Sequence, residues 1–179
     1  MRVGLISDTH LTDPETDLDL QIYTAFADVD LILHAGDIYA TWVLDRLERV
    51  APVLGVQAYP DPPDPRIERR RVLDLEGMKV ALTHNIGFPE TSINSDRGLV
   101  FPQQPQAREI LRRYFGEDGI DVVVFGDTHE ELILTHDGIL FVNPGSPTYP
   151  GIKHELNSPG TIAIMELDRG TAKARILQL

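Results

Sequence analysis

The stretch VGLISDTHLTDPETDLDLQIYTAFADVDLILHAGD, residues 3–37, decides the fold. It opens on an apolar run, Val3 to Ile6, and ends just past a second, Leu31 to Leu33. Each run is short and bounded by polar residues, so each reads as a buried strand. Between them Leu18, Ile22, Ala25 and Phe26 fall on one helical face. Strand, helix, strand in that order is a βαβ unit, and such units build parallel sheets. Each strand also exits into chemistry-bearing residues: Ser7-Asp8-Thr9-His10 after the first, His34-Ala35-Gly36-Asp37 after the second.

The pattern continues outward. Val43, Leu47 and Val50 share a helical face that Pro52 stops, and Val53 to Val56 follows as a third strand. Val80 to Leu82 and Val122 to Phe125 are two further strands, and a third helix is expected from Pro105 to Phe115. Its apolar face is Ala107, Ile110, Leu111 and Tyr114, with Gly116 just past its end. Three segments read as hairpins turning at Glu76-Gly77, Asp137-Gly138 and Arg169-Gly170. These signals predict an α/β chain with mixed sheets, parallel early and antiparallel late, in one domain over residues 1–179. The proline-rich AYPDPPDPR, residues 58–66, and the irregular stretch 85–104 are loops long enough to cover a site.

Composition narrows the function. The 179 residues are 42% hydrophobic and 25% charged, ordinary for a globular protein. The net charge of -12, from 28 acidic against 16 basic residues, argues against non-specific nucleic-acid binding and against docking on an anionic membrane. With no cysteine, disulfides, thiolate ligands and a cysteine nucleophile are excluded. No apolar run approaches a signal-peptide core or a membrane span, which predicts a cytoplasmic location.

Set side by side, the strand exits share one character. Asp8 and His10, His34 and Asp37, His84 with Asn85, and Asp127 with His129 each follow an apolar run, so four of the six histidines sit at strand ends. In open α/β sheets ligands bind beyond the carboxyl ends of the parallel strands. Imidazole and carboxylate together suit Mn, Fe, Zn or Ni, which makes this edge a candidate metal site.

The same pieces in the same order resemble the calcineurin-like metallophosphoesterase superfamily, most closely its small bacterial and archaeal phosphodiesterase branch. That branch reads Asp-x-His, Gly-Asp, Gly-Asn-x-Asp, Thr-His-Gly-His, Gly-His-x-His and Asn-Pro-Gly-Ser. The counterparts are Asp8-Thr9-His10, Gly36-Asp37, Ala58-Tyr59-Pro60-Asp61, Thr83-His84-Asn85-Ile86, Gly126-Asp127-Thr128-His129 and Asn143-Pro144-Gly145-Ser146. The resemblance implies a four-layer αββα sandwich with two mixed β-sheets and two divalent metal ions at its strand ends. Asp8, His10, Asp37 and His129 would hold the first ion, while Asp37 would bridge to a second held also by His84. Two ions about 3.5–4 Å apart stabilise the attacking and leaving oxygens of a displacement at phosphorus, and a hydroxide between them would be the nucleophile. The implied function is a metal-dependent phosphoesterase, a phosphodiesterase or phosphatase, acting on a small phosphate-ester substrate.

Two positions depart from the family pattern. Tyr59 stands where the family has an asparagine that binds metal and phosphate, and Asp127 replaces the first histidine of Gly-His-x-His. A carboxylate at 127 remains a competent ligand and shifts preference toward Mn²⁺ or Mg²⁺, with Fe, Ni and Zn compatible. Tyr59, through its hydroxyl, and Arg97, in the long loop, are the candidate substrate-phosphate contacts. Tyr59, Asp127 and Ile86 equally suit a catalytically weak or inactive scaffold, since the superfamily includes the scaffold subunit of the retromer coat, which keeps the architecture with an altered metal site. A nucleotide-binding reading is weaker, because no glycine-rich loop follows the first strand. His34 is expected to be buried and bonded to backbone, His136 and His154 to lie on the surface, and RIERRR, residues 66–71, to be a solvated strand face.

Overall fold

The computed structural model describes residues 1–87, 92–93, 99–102, 106–155 and 158–179. In the first half the chain forms β1 (Arg2–Ile6), α1 (Leu20–Phe26), β2 (Leu31–His34), α2 (Thr41–Glu48), β3 (Val53–Val56), β4 (Ile67–Glu68), β5 (Arg71–Leu75) and β6 (Met78–Leu82). There follow β7 (Ser92–Ile93), β8 (Leu99–Val100), α3 (Ala107–Phe115), β9 (Ile120–Val124), β10 (Leu132–His136), β11 (Ile139–Asn143), β12 (Thr161–Asp168) and β13 (Thr171–Gln178). One sheet has the order β13-β12-β1-β2-β3-β4 and a second the order β10-β11-β9-β6-β5, with β7 and β8 paired apart.

Period-two alternation explains how the layers stack. In β1, Val3 and Leu5 point toward the second sheet, where they join Val80, Leu82, Val122 and Val124 in the central core. Ile6 and, from β2, Ile32 point to the opposite face and pack with Ile22 and Phe26 of α1 and Val43, Leu44 and Leu47 of α2. On the far side of the second sheet Ala81, Val123 and Phe141 meet Ile110 and Leu111 of α3. The result is helices, sheet, sheet, helix: the four-layer αββα sandwich that the resemblance implies.

Several local expectations shift. Both sheets are mixed, but parallel and antiparallel pairs divide by position in the sheet rather than by order in the chain. β1 to β4 are parallel, and so are β6, β9 and β11 at the centre of the second sheet, while β5, β10, β12 and β13 add antiparallel edges. The three hairpin turns form at the expected pairs, with φ of 51° and 75°, 50° and 71°, and 45° and 78°, the left-handed pair of a type I′ turn. Helix α1 starts later than its apolar pattern, because the Asp19 carboxylate caps it by accepting from the Gln21 N–H, leaving Leu18 buried just ahead. Helix α2 ends at Glu48, before Val50 and Pro52.

The RIERRR segment is solvated only in part: Glu68, Arg69 and Arg70 are exposed, whereas Arg66 and Arg71 are half-buried. Arg66 reaches Asp45 and Glu48 of α2 as well as Asp64, at 2.7–2.9 Å. Arg71 donates to the carbonyls of Gly55 and Arg66, and the Arg70 guanidinium lies 4.9 Å from the Tyr114 ring centre. These arginines fasten the crossing between the two sheets, since β4 belongs to one and β5 to the other. Among the described residues no helix is long and apolar enough to cross a membrane.

Candidate metal centre

The strand exits of both sheets meet at one edge. Asp8 N–H donates to the Gly36 carbonyl, and Gly126 N–H to the His84 carbonyl. The Asp127 N–H donates to Asp8 Oδ1 at 3.2 Å, stitching one sheet to the other. Asp8, His10, Asp37, Asp127 and His129 all have φ between 48° and 70°, in the left-handed region that non-glycine residues avoid. Leaving the extended conformation at these positions turns the side chains across the edge, and the strain belongs with a functional site. Two glycines permit the approach. A Cβ on Gly36 would stand 2.7 Å from the His84 ring, and one on Gly126 would stand 1.9 Å from Ser7 Oγ and 2.8 Å from Asp8 Oδ2.

One ligand atom each from Asp8, His10, Asp37 and His129 lies within 4.8 Å of all the others. His10 Nε2 is 3.1 Å from His129 Nε2 and 3.3 Å from Asp37 Oδ2, and His129 Nε2 is 3.7 Å from Asp8 Oδ1. Asp37 Oδ2 also lies 3.6 Å from His84 Nε2, so this one oxygen sits between two imidazoles. His84 Nε2 is in turn 3.7 Å from Asp127 Oδ1, while Asp127 Oδ2 accepts from the Asn85 amide at 2.8 Å. The set predicted for a first ion is thus assembled, and beside it His84 stands between Asp37 and Asp127.

The outer nitrogens orient the rings. His129 Nδ1 is 2.7 Å from the Tyr149 carbonyl and His84 Nδ1 is 2.8 Å from the Ala35 carbonyl. A carbonyl only accepts, so both rings carry their proton on Nδ1 and turn an Nε2 lone pair into the site, as metal-binding imidazoles do. Burial pushes the Asp8 carboxyl up to about 6, raises Asp37 and lowers His10. Asp8 Oδ2 is buried and has no hydrogen-bond partner among the described residues. A site that disfavours its own charges and keeps an orphaned carboxylate oxygen fits a bound cation, which would satisfy both.

Elsewhere the expectations meet mixed outcomes. His34 is buried as expected, its Nδ1 accepting from the Gly36 N–H and its Nε2 3.2 Å from Thr9 Oγ1, and burial lowers it to about 3. Tyr59 does not face the centre; it is 96% exposed. Asp61, two residues on, turns inward instead and accepts from the N–H groups of Ile38, Tyr39 and Ala58, which carries Tyr59 outward. Arg97 lies outside the described residues. His136 stacks on Phe101 at the surface, but His154 is largely covered and bonds Glu131 at 2.8 Å.

Sequence reasoning missed the bracing residues. Ser146 Oγ donates to the Asp8 carbonyl at 2.7 Å, and Thr148 Oγ1 to the Thr9 carbonyl at 2.7 Å, so the Asn-Pro-Gly-Ser turn and the residues after it hold the Asp8 loop. Tyr39 and Tyr149 flank His10, with ring centres 4.6 and 5.6 Å away. Positive φ at Tyr39 is invisible in sequence, but Ser146 belongs to a motif already singled out.

The chain is 33% identical over 180 residues to a probable metallophosphoesterase of Methanothermobacter thermautotrophicus, covering 99% of this chain and 92% of that one. It is 25% identical over 145 residues to a phosphodiesterase of Methanocaldococcus jannaschii, covering 81% and 83%. The fold matches a Vps29 variant of Entamoeba histolytica with a TM-score of 0.70 at 18% identity, over 100% of this chain and 99% of that one. The calcineurin-like phosphoesterase superfamily domain matches residues 1–170. With those matches over a four-layer sandwich whose strand ends gather aspartate and histidine, the chain belongs to the calcineurin-like phosphoesterase superfamily.

Proposed function

We propose that this protein is a hydrolase of small phosphate esters, diester or monoester, working through two divalent ions, with Mn²⁺ as the preferred metal. The supporting observation is the convergence of Asp8, His10, Asp37 and His129 with His84 and Asp127 alongside. Asp8, His10, Asp37 and His129 would hold one ion, and Asp37, His84 and Asp127 the other. Divalent ions held there supply positive charge to phosphoryl oxygens and acidify water.

The chain's own residues set the rest. Asp37 Oδ2 faces the imidazoles of both groups, so one carboxylate fixes their spacing. The Ala35 and Tyr149 carbonyls hold the His84 and His129 rings in register. Asp127 is steered by Asn85 and adds negative charge where the family has a neutral imidazole, favouring harder ions. A cleft of about 760 Å³ opens beside the centre, lined by Asp127, His129, Thr148, Tyr149, Ile152 and His154, a volume suited to a small substrate. The net charge of -12 disfavours a polyanionic one.

The test is hydrolysis of an aryl phosphodiester and an aryl phosphomonoester by metal-stripped protein titrated with Mn²⁺, beside Asp37→Asn. The expected result is Mn²⁺-dependent turnover that falls at least about a hundredfold in the variant while its fold is retained. Equal turnover in both would overturn the mechanism.

A second reading has its own observations. Tyr59 stands in solvent and Ile86 is buried, 1% exposed, where the family pattern has polar groups. A non-catalytic scaffold on this fold would bind metal yet show no turnover with Mn²⁺, Mg²⁺, Zn²⁺ or Ni²⁺, so the same titration separates the two.

A further inference from the structure

Immediately after His129 the chain places a second group of ligand-bearing side chains, Glu130, Glu131 and His154. One ligand atom from each lies within 4.8 Å of the others. Glu130 is 1% exposed. Its Oε1 accepts from the Lys153 N–H at 3.0 Å, but its Oε2 is buried with no partner among the described residues. Glu131 Oε2 lies 2.8 Å from His154 Nε2.

We infer that Glu130, Glu131 and His154 form a further divalent-cation site, separate from the centre at the strand ends. An ion pair between Glu131 and a protonated His154 accounts for two of the three groups and leaves Glu130 Oε2 unsatisfied. A cation satisfies all three, and an orphaned buried carboxylate oxygen is the signature it would leave when absent. A ligand–ligand separation of 2.8 Å matches neighbouring positions around an ion with bonds of about 2.1 Å, whose octahedral edge is about 3 Å. One imidazole with two carboxylates selects Zn²⁺ or Mn²⁺ over Ca²⁺, and the open positions fall to solvent from the adjoining cleft, which His154 lines.

The site has a structural consequence. The segment carrying His154 is tied to the Glu130 segment by Gly151 N–H donating to the His129 carbonyl and by Lys153 N–H donating to Glu130 Oε1. The same segment presents the Tyr149 carbonyl that orients His129. An ion here pins the segment and so positions His129, making the three residues positioning residues.

The experiment is equilibrium dialysis of the full chain against Zn²⁺ with metal analysis, on wild type, His154→Ala, Glu131→Gln and Asp8→Asn, each checked for folding by circular dichroism. Loss of one zinc equivalent in His154→Ala and in Glu131→Gln, with that equivalent kept in Asp8→Asn, is the expected result. Should His154→Ala not fold, His154→Gln, which keeps a donor to Glu131, takes its place. Unchanged zinc content in the Glu131 and His154 variants overturns the site, as does loss of all zinc in Asp8→Asn. Asp8 belongs to the strand-end group and not to that of Glu130, Glu131 and His154, so zinc lost through Asp8→Asn and zinc lost through the Glu131 and His154 variants report on different sites.

Discussion

Asp8 is a carboxylate with almost no access to water, and burial moves its ionisation from the ordinary 3.8 to about 6. The folded protein therefore holds this proton where the unfolded chain has released it. The stabilising contribution is complete below pH 3.8 and is lost as pH rises through about 6 in the metal-free protein. His34 runs the other way: held near 3 by burial, it keeps its contribution above its ordinary 6.5 and loses it as pH falls toward 3. Because His34 is common to wild type and to Asp8→Asn, comparing the two isolates Asp8. At about pH 7 without metal, Asp8→Asn should be more stable than wild type by about 1–3 kcal/mol, a gain that vanishes near pH 4. Saturating Mn²⁺ should reverse the order, because only the wild type binds it at full strength. Urea denaturation at both pH values, with and without Mn²⁺, checks this; a less stable metal-free variant at neutral pH would contradict it.

The elements place the site through the geometry of their exits. The exits of β1 and β9 belong to different sheets, yet they touch at Gly126, where a side chain would meet Ser7, Asp8 and, at 3.1 Å, the Ala35 carbonyl. Gly126→Ala must displace the Ser7 hydroxyl and the Asp8 carboxylate, two fully buried side chains with little room to move, so the overpacking falls directly on the site. The variant should lose about 2–4 kcal/mol of stability and bind Mn²⁺ at least about tenfold more weakly, measured by thermal unfolding and calorimetric titration. Most of this level was legible in the sequence, because the signals are local. A polar residue ending an apolar run marks a strand exit, and an acidic or basic residue before glycine marked all three hairpins. The illegible part was long-range. No periodicity reveals that β12, from the end of the chain, pairs with β1, or that β4 and β5 lie three residues apart in different sheets. Arg66 looked solvated for the same reason: its carboxylate partners on α2 are brought to it only by folding.

At the scale of the whole molecule, six candidate ligand positions drawn from residues 8 to 129 converge because two parallel strand sets, one per sheet, end on a common edge. The candidate site was legible because each exit carries its own Asp or His; the outward turn of Tyr59 was not, because it follows from Asp61 capturing three N–H groups across the loop. The net charge of -12 then acts on every anionic substrate that approaches. Two fields compete there: the diffuse negative charge of the surface, which salt screens strongly, and the local charge of bound cations, screened far less at contact distance. Raising ionic strength from about 0.01 to 0.15 M shortens the screening length from about 30 to 8 Å. That change removes mainly the repulsion. For a dianionic aryl phosphomonoester, kcat/KM should therefore rise by about two- to tenfold over that range, while a monoanionic diester responds less. Stopped assays at constant Mn²⁺ activity measure both slopes. A rate that falls with salt for the dianion would mean that attraction by the centre reaches beyond the repulsive field, and that approach is steered rather than opposed.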